Sequence, residues 1–107
     1  MERNDDYFIK AAIKEARKAY ELGEVPVGCV ITVGEKIVSR GHNLKESKNN
    51  GLLHAEMVAI DRALKKLKTP ILPDATIYIT LEPCLMCAGA IFQTRIKRVV
   101  FAASEPK

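Results

Sequence analysis

The sequence lacks the features that mark fibrous, low-complexity or membrane-spanning chains. Its 107 residues include only 6 Gly and 5 Pro, and 48% of them are hydrophobic, which is a globular composition. No charge-free stretch is long enough to cross a bilayer, and the chain begins with acidic residues where a signal peptide would be basic and then apolar. We therefore expect a globular cytoplasmic protein that has no membrane partner.

The length fits a single domain spanning residues 1–107, since a domain commonly takes roughly 150 residues. The chain stops at Lys107, shortly after a predicted strand, and this would leave one sheet edge uncovered. We therefore expect this domain to be truncated at its C-terminus.

The charge balance is mildly basic, with 17 Lys and Arg against 13 Asp and Glu. This excess fits a polyanionic partner, but it also fits many other soluble proteins. Arg95, Lys97 and Arg98, beside the predicted sheet edge, are better candidates for phosphate contacts than the three lysines that end the second predicted helix.

Hydrophobic periodicity predicts alternating helices and strands. The predicted elements are a helix over 5–22, two strands over 27–33 and 36–43 joined by a tight turn, a helix over 53–68, a strand over 75–81, a helix over 83–94 and a strand over 98–102. The first two strands form an antiparallel hairpin, and the last two are parallel because a helix connects them. The sequence thus predicts an α/β domain with a mixed sheet.

The same patterns predict how the helices begin and which faces they bury. Asp5 or Asp6 is expected to cap the first helix, and Pro83 to begin the third. The third helix is apolar almost all round, and we therefore expect it to be buried. The second helix should pack its apolar face on the core, and that face consists of Leu53, Met57, Ile60, Leu64 and Leu67.

Three side chains have the chemistry and spacing of a metal site. Cys84 and Cys87 lie three positions apart in a chain without a secretory signal, which favours a ligand pair over a disulfide. With His54 they supply three ligands, and a tetrahedral zinc ion then keeps an open position for water. Taken singly, the histidine could be a helix cap and the cysteines small core residues, as we expect for Cys29 in the first strand. All three fall at predicted helix N-termini, which favour thiolates, and we predict one Zn²⁺ per chain.

Glu56 is the carboxylate that this motif provides. In mid-helix its side chain would point about 200° away from that of His54, whereas at a helix tip both can face one point. A zinc ion with two thiolates and a neutral histidine is formally uncharged, so a base must help to remove a proton from water. A glutamate that takes this proton and returns it to a leaving nitrogen performs hydrolytic deamination.

These residues stand in motifs that resemble the cytidine deaminase-like superfamily, and more closely the bacterial tRNA-specific adenosine deaminases. The resemblance runs from the first helix to Lys107, and its most specific stretch is Thr80–Ala90. It implies a three-layer α/β/α fold with helices on both faces of the sheet, Zn²⁺ held by His54, Cys84 and Cys87, and Glu56 as proton shuttle. Its remaining motifs are Gly23-Glu24-Val25-Pro26-Val27-Gly28, Gly41-His42-Asn43 and His54-Ala55-Glu56.

The resemblance also implies a substrate and a partner. The substrate is the wobble adenosine of a tRNA anticodon loop, bound by Asn43 beside Val27, and the typical assembly is a homodimer. The family usually has Pro-Thr-Ala before the motif histidine, whereas Gly51-Leu52-Leu53 stand here. This departure leaves open a deaminase of a free base or small nucleoside such as guanine or cytosine. The early end of the chain leaves open a second alternative, a truncated zinc-bound domain without activity.

Overall fold

A computed structural model of the chain describes residues 4–103, and each predicted helix and strand is present in the predicted order. The predicted truncation at the C-terminus concerns residues 104–107, which lie outside the described part. The elements are α1 (Asp5–Glu21), β1 (Gly28–Val33), β2 (Lys36–His42), α2 (Ala55–Leu67), β3 (Ala75–Ile79), α3 (Leu85–Gln93) and β4 (Arg98–Phe101).

The four strands form one mixed sheet in the order β2-β1-β3-β4. β1 is antiparallel to β2 in the predicted hairpin, and β3 is parallel to β4, as the helical connection between them requires. β1 also pairs with β3, in the antiparallel sense. The mixed sheet is thus confirmed, and the added β1–β3 pairing joins the hairpin to the parallel pair.

Helices cover both faces of this sheet, which confirms the three-layer arrangement. Val30 and Tyr78 point from adjacent strands to Phe8 of α1. On the opposite face, Ile31 and Ile77 pack against α2 and α3. This alternation is the period-two pattern of strands buried on both faces.

Two glycines let the helices approach the sheet closely. A Cβ atom at Gly28 would lie 2.0 Å from the carbonyl oxygen of Ala12 in α1, and one at Gly41 would lie 2.6 Å from that of Ala55 in α2. Only a residue without a side chain fits at such distances. Gly41 therefore determines how closely the first turn of α2, which contains Glu56, approaches the sheet.

The buried face of α2 is not the predicted one. Of the five large residues expected there, only Ile60 is buried, and Leu67 is 40% exposed. Small residues meet the sheet instead, because the close approach at Gly41 leaves no room for larger ones. The buried residues of α2 are Ala55, Glu56, Val58, Ala59, Ile60 and Ala63.

The prediction that α3 is buried is also wrong for the described chain. Cys87 and Ile91 are buried, whereas Leu85 is 91% and Phe92 is 80% exposed. The helix covers the sheet with one side only, so an apolar sequence here leaves an apolar surface. Pro83 precedes the helix and does not begin it, since Cys84 is the N-cap.

The start of α1 differs from the prediction as well. Asn4 caps the helix, because its side-chain oxygen accepts a 3.1 Å hydrogen bond from the Tyr7 backbone N–H. Asp5 and Asp6 lie in the first turn, where their charges favour the positive end of the helix dipole. None of the helices within residues 4–103 is both long and apolar enough to cross a membrane.

Candidate metal centre and active-site pocket

The three predicted ligands meet where two helices begin. His54 is the N-cap of α2, Cys84 is the N-cap of α3, and Cys87 lies in the first turn of α3. Neither cap side chain bonds to its own helix. Because α2 and α3 lie on the same face of the sheet and contact each other, their N-termini bring the three side chains to one point.

The distances within this group suit a tetrahedral metal ion. The Nδ1 atom of His54 lies 3.7 Å from Sγ of Cys84 and 3.6 Å from Sγ of Cys87. With Zn–N near 2.0 Å and Zn–S near 2.3 Å, a tetrahedral site separates nitrogen from sulfur by about 3.5 Å. One imidazole and two sulfurs, all within 4.8 Å of one another, are therefore spaced as zinc requires.

The protonation of Cys87 depends on burial and on neighbouring charges. Burial raises the pKa of the Cys87 thiol, and the negative charge of Glu56 raises it further. In the absence of a metal ion these effects favour the neutral thiol, whereas the helix N-terminus was expected to favour the thiolate. A dication among the three ligands would reverse the balance, because thiols that coordinate metal are deprotonated.

Cys29 takes no part in this group. It is fully buried in the core formed by β1 and its neighbours, and burial raises the pKa of its thiol well above the usual range. Its prediction as a core residue is confirmed.

Glu56 lies in the first turn of α2, two residues after His54, and is only 4% exposed. His54 is the N-cap and has an extended backbone. The rotation of about 100° between successive helical residues therefore does not set the direction of its side chain. Both side chains consequently line the same pocket.

Asn43 follows β2 and joins this pocket to the start of α2. Its side-chain oxygen accepts a 2.8 Å hydrogen bond from the backbone N–H of Ala55, the first residue of the helix. This bond satisfies a helix donor that the His54 side chain leaves unpaired. The oxygen of Asn43 is thereby engaged, and its amide N–H₂ is the group suited to a ligand.

The pocket encloses about 200 Å³ and has room for one small planar ligand. This volume is smaller than the pockets of about 300–1,000 Å³ that hold drug-sized ligands. Of the six predicted site residues, Cys87 alone does not line the pocket. The lining residues are Val25, Val27, Asn43, Lys45, His54, Glu56, Leu81, Glu82 and Cys84.

Two residues near the opening escaped the sequence predictions. Glu24 is only 5% exposed, and its carboxylate accepts hydrogen bonds from the loop that follows Asn43. Lys45, in that loop, lines the pocket while its side chain reaches solvent. Glu24 stands in one of the recognised motifs, but its contact lies more than twenty residues away, and no local pattern reveals such a contact.

One predicted phosphate contact is already occupied. The guanidinium of Arg98 binds both carboxylate oxygens of Asp5, at 2.8 and 2.5 Å. This pair ties β4 to the start of α1. Arg98 is therefore already paired with a carboxylate, whereas Arg95 and Lys97 remain candidates for phosphate contacts.

Comparison of the sequence with known protein families agrees with a metal site at this point. Residues 2–103 match the family model for the cytidine and deoxycytidylate deaminase zinc-binding region. The chain belongs to this deaminase family. The match contains the metal-ligand group, the glutamate and the pocket.

Curated relatives in this deaminase family are enzymes that act on tRNA. The tRNA-specific adenosine deaminase of Bacillus subtilis (strain 168) is 52% identical over 103 residues, which are 96% of this chain and 64% of that protein. The enzyme of the same name from Aquifex aeolicus (strain VF5) is 44% identical over 102 residues, 95% of this chain and 68% of its own length. The chain thus spans just under two thirds of the Bacillus subtilis relative.

Solved structures of deaminases share the fold. A structure from a study of A-to-I editing by tRNA:A34 deaminases superimposes with a TM-score of 0.93 at 40% identity, covering 95% of this chain and 74% of that one. The guanine deaminase from Bacillus subtilis superimposes with a TM-score of 0.92 at 37% identity, covering 95% and 66%. The cytidine deaminase-like fold is thereby confirmed, while these two neighbours act on different bases.

Proposed function

We propose that this deaminase domain converts the wobble adenosine of a tRNA anticodon to inosine by zinc-dependent hydrolysis. The observation that carries the proposal is the pocket in which Glu56, His54 and Cys84 line one space of single-base size. The tRNA-specific relatives support adenosine in RNA as the substrate.

His54, Cys84 and Cys87 would hold one zinc ion through Nδ1 and two Sγ atoms. Three soft or borderline ligands favour zinc over hard cations such as Mg²⁺. When bound, zinc supplies Lewis-acid polarisation of a water molecule. Three protein ligands leave a position for that water, as catalytic zinc sites do.

Glu56 moves the proton. Its carboxylate accepts a proton from the water whose oxygen attacks the ring carbon that bears the amino group. The carboxylic acid then gives the proton to the departing nitrogen, the carbon–nitrogen bond breaks, and ammonia leaves. The buried position of Glu56 keeps this transfer away from bulk solvent.

Asn43 and Val27 would hold the base for this step. The Asn43 amide N–H₂ can donate to a ring nitrogen, since the side-chain oxygen is occupied by Ala55. Val27 lines the same pocket and offers apolar surface to the face of the base. A single-stranded anticodon loop can place its base there without melting a duplex.

A free purine is the second candidate substrate. The guanine deaminase neighbour superimposes almost as well as the tRNA deaminase. In addition, Leu52 and Leu53 stand where the family usually has Thr-Ala before His54, and they make this segment more apolar. An apolar segment there is compatible with a smaller ligand that makes no contacts outside the pocket.

Mass spectrometry distinguishes these functions. Zinc-loaded protein is incubated with tRNA, with guanine and with cytosine, and inosine at the wobble position is the expected product. Conversion of a free base without any inosine would support the second candidate. A zinc-bound protein that converts none of them would indicate a domain without activity.

The matched control is Glu56→Gln, which keeps the size of the side chain but cannot carry the proton. We expect zinc content to stay the same and turnover to fall by about 10²–10⁴-fold, as for other general acid–base groups. Activity above a tenth of the wild-type value would exclude Glu56 as the shuttle.

We also propose that the domain forms a homodimer in the cytoplasm, where tRNA is found. The exposed side chains of Leu85 and Phe92 on α3 and of Val99 and Phe101 on β4 support this assembly, because exposed apolar surface of this kind commonly marks an interface. Sedimentation equilibrium should show a dimer at micromolar concentration. A monomer throughout that range would contradict the proposal.

A further inference from the structure

An exposed lysine, Lys45, lies at the opening of the pocket. Lys45 lines the pocket together with Asn43 and His54, and its side chain is exposed. Within residues 4–103, its ammonium group makes no ion pair, so its charge is available to a ligand. An unpaired cation at the entrance to a site attracts an anionic part of the ligand.

The loop that carries Lys45 is held in place by a buried carboxylate. One oxygen of Glu24 accepts a 3.0 Å hydrogen bond from the backbone N–H of Glu46, and the other accepts bonds from the N–H and the hydroxyl of Ser47, at 2.5 and 2.6 Å. These bonds, chiefly that from the Ser47 hydroxyl, hold the pKa of Glu24 below its usual range, so the acceptor stays ionised.

The backbone of Lys45 is fixed on its other side as well. Its carbonyl oxygen accepts a 2.9 Å hydrogen bond from the N–H of Asn50, which closes the loop on itself. Val25, next to Glu24 in the chain, lines the pocket near Lys45. The bonds of Glu24 therefore join two parts of the pocket opening. They position Lys45 before any ligand binds, which reduces the entropy lost on binding.

The exposed charged residues that line the pocket are Lys45 and Glu82. Glu82 also lines the pocket and is exposed, but it already has an interaction within the described residues. Lys45 is the cation among the lining residues. A neutral base needs no such cation, whereas a nucleotide within RNA carries a phosphate on either side of its ribose.

We propose that Lys45 binds a phosphate next to the target nucleoside, so that the pocket selects a base within a polynucleotide over a free base. This inference rests on the proposed function and specifies its substrate class. Lys45 is then a specificity determinant, and Glu24 is the residue that positions it.

The test measures RNA binding and needs no turnover. Zinc-loaded Glu56→Gln protein is titrated with a fluorescent anticodon stem-loop at several salt concentrations. Adding Lys45→Met should lower the slope of log affinity against log salt by about 0.7, the value for one phosphate of a single strand, and weaken binding roughly fivefold at 0.1 M salt.

Lys48→Met is the matched control. It removes the same charge from the same loop, but Lys48 lines a separate hollow against α2 and not this pocket. We expect less than a twofold change. Equal effects of the two substitutions, or no effect of Lys45→Met, would overturn the inference, because a general attraction of the loop for RNA would then suffice.

A modified RNA identifies the phosphate itself. Methylphosphonates on both sides of the target nucleoside remove the two nearby charges, and with this RNA the Lys45→Met substitution should cause no further loss of affinity. A persistent loss would place the Lys45 contact elsewhere and refute the inference.

The positioning role of Glu24 has its own measurement. Glu24→Gln should accelerate hydrogen exchange at the amides of Glu46 and Ser47 and weaken RNA binding in the direction of Lys45→Met, with unchanged zinc content. Protected amides with weakened binding would contradict that role.

The inference and the proposed function can fail separately. Binding that depends on Lys45, without inosine formation by the wild-type protein, would refute the deaminase function alone. If the wild-type protein forms inosine but Lys45→Met leaves RNA affinity unchanged, the inference alone is refuted.

Discussion

Replacing Gly41 with alanine should disturb the metal centre from the opposite side of α2. A Cβ atom at Gly41 would lie 2.6 Å from the carbonyl oxygen of Ala55 and 2.8 Å from the backbone nitrogen of Ala59. Both neighbours are helix backbone, so neither can rotate away. Ordinary contact begins at 3.4 Å, and α2 must therefore move outward by about 0.8 Å.

This movement affects stability and metal binding together. Overpacking of a close contact typically costs about 1–3 kcal/mol of unfolding free energy, a large part of the roughly 5–15 kcal/mol that a domain has. Ala55 lies between His54 and Glu56, so both site residues move with it. Metal–ligand distances in zinc sites lie within about 0.2 Å of their standard values, and we expect a larger displacement to lower zinc affinity as well.

Urea unfolding of the metal-free protein measures the first effect, and competition with a zinc chelator measures the second. Gly89→Ala in α3 is the matched control, because a Cβ atom there meets no atom within 4 Å. It should stabilise the helix by up to about 1 kcal/mol. If Gly41→Ala matched the wild type in unfolding free energy and zinc affinity, the reasoning that α2 is seated on Gly41 would be wrong.

Two further predictions concern the metal ligands and the ion pair at the start of α1. Cys84→Ser should release zinc while Cys29→Ala retains it, as elemental analysis of the purified variants would show; equal zinc in both would contradict the ligand assignment. The Arg98 hydrogen bond holds the pKa of Asp5 below 3.8, so the pair stabilises the fold above that pH and loses its contribution as pH falls through the lower folded value. The difference in unfolding free energy between wild type and Arg98→Met should therefore shrink in acid, and a constant difference would refute this linkage.

The ligand chemistry could be predicted from the sequence because it depends on residue type and local position. A catalytic zinc site needs nitrogen and sulfur donors, and His54, Cys84 and Cys87 supply them at the starts of predicted helices. Glu56 follows from the charge balance of that donor set. The helices and strands followed from periodicity, which is also a local property.

Packing against distant segments could not be predicted in this way. The positions of the largest side chains of α2 predicted the wrong buried face. Its alanines pack against the sheet instead, because Gly41 of β2 brings the helix too close for leucine. The apolar sequence of α3 did not reveal that one side of the helix, with Phe92, has no sheet to cover.

The pocket opening shows the same division between sequence and structure. By itself the sequence determined which side chains could hold zinc and move a proton, since those properties belong to the residues. The tertiary structure alone decided that Glu24 fastens the loop around Ser47 and presents Lys45 beside the pocket. Such contacts join segments more than twenty residues apart, and the burial that makes them strong exists only in the folded chain.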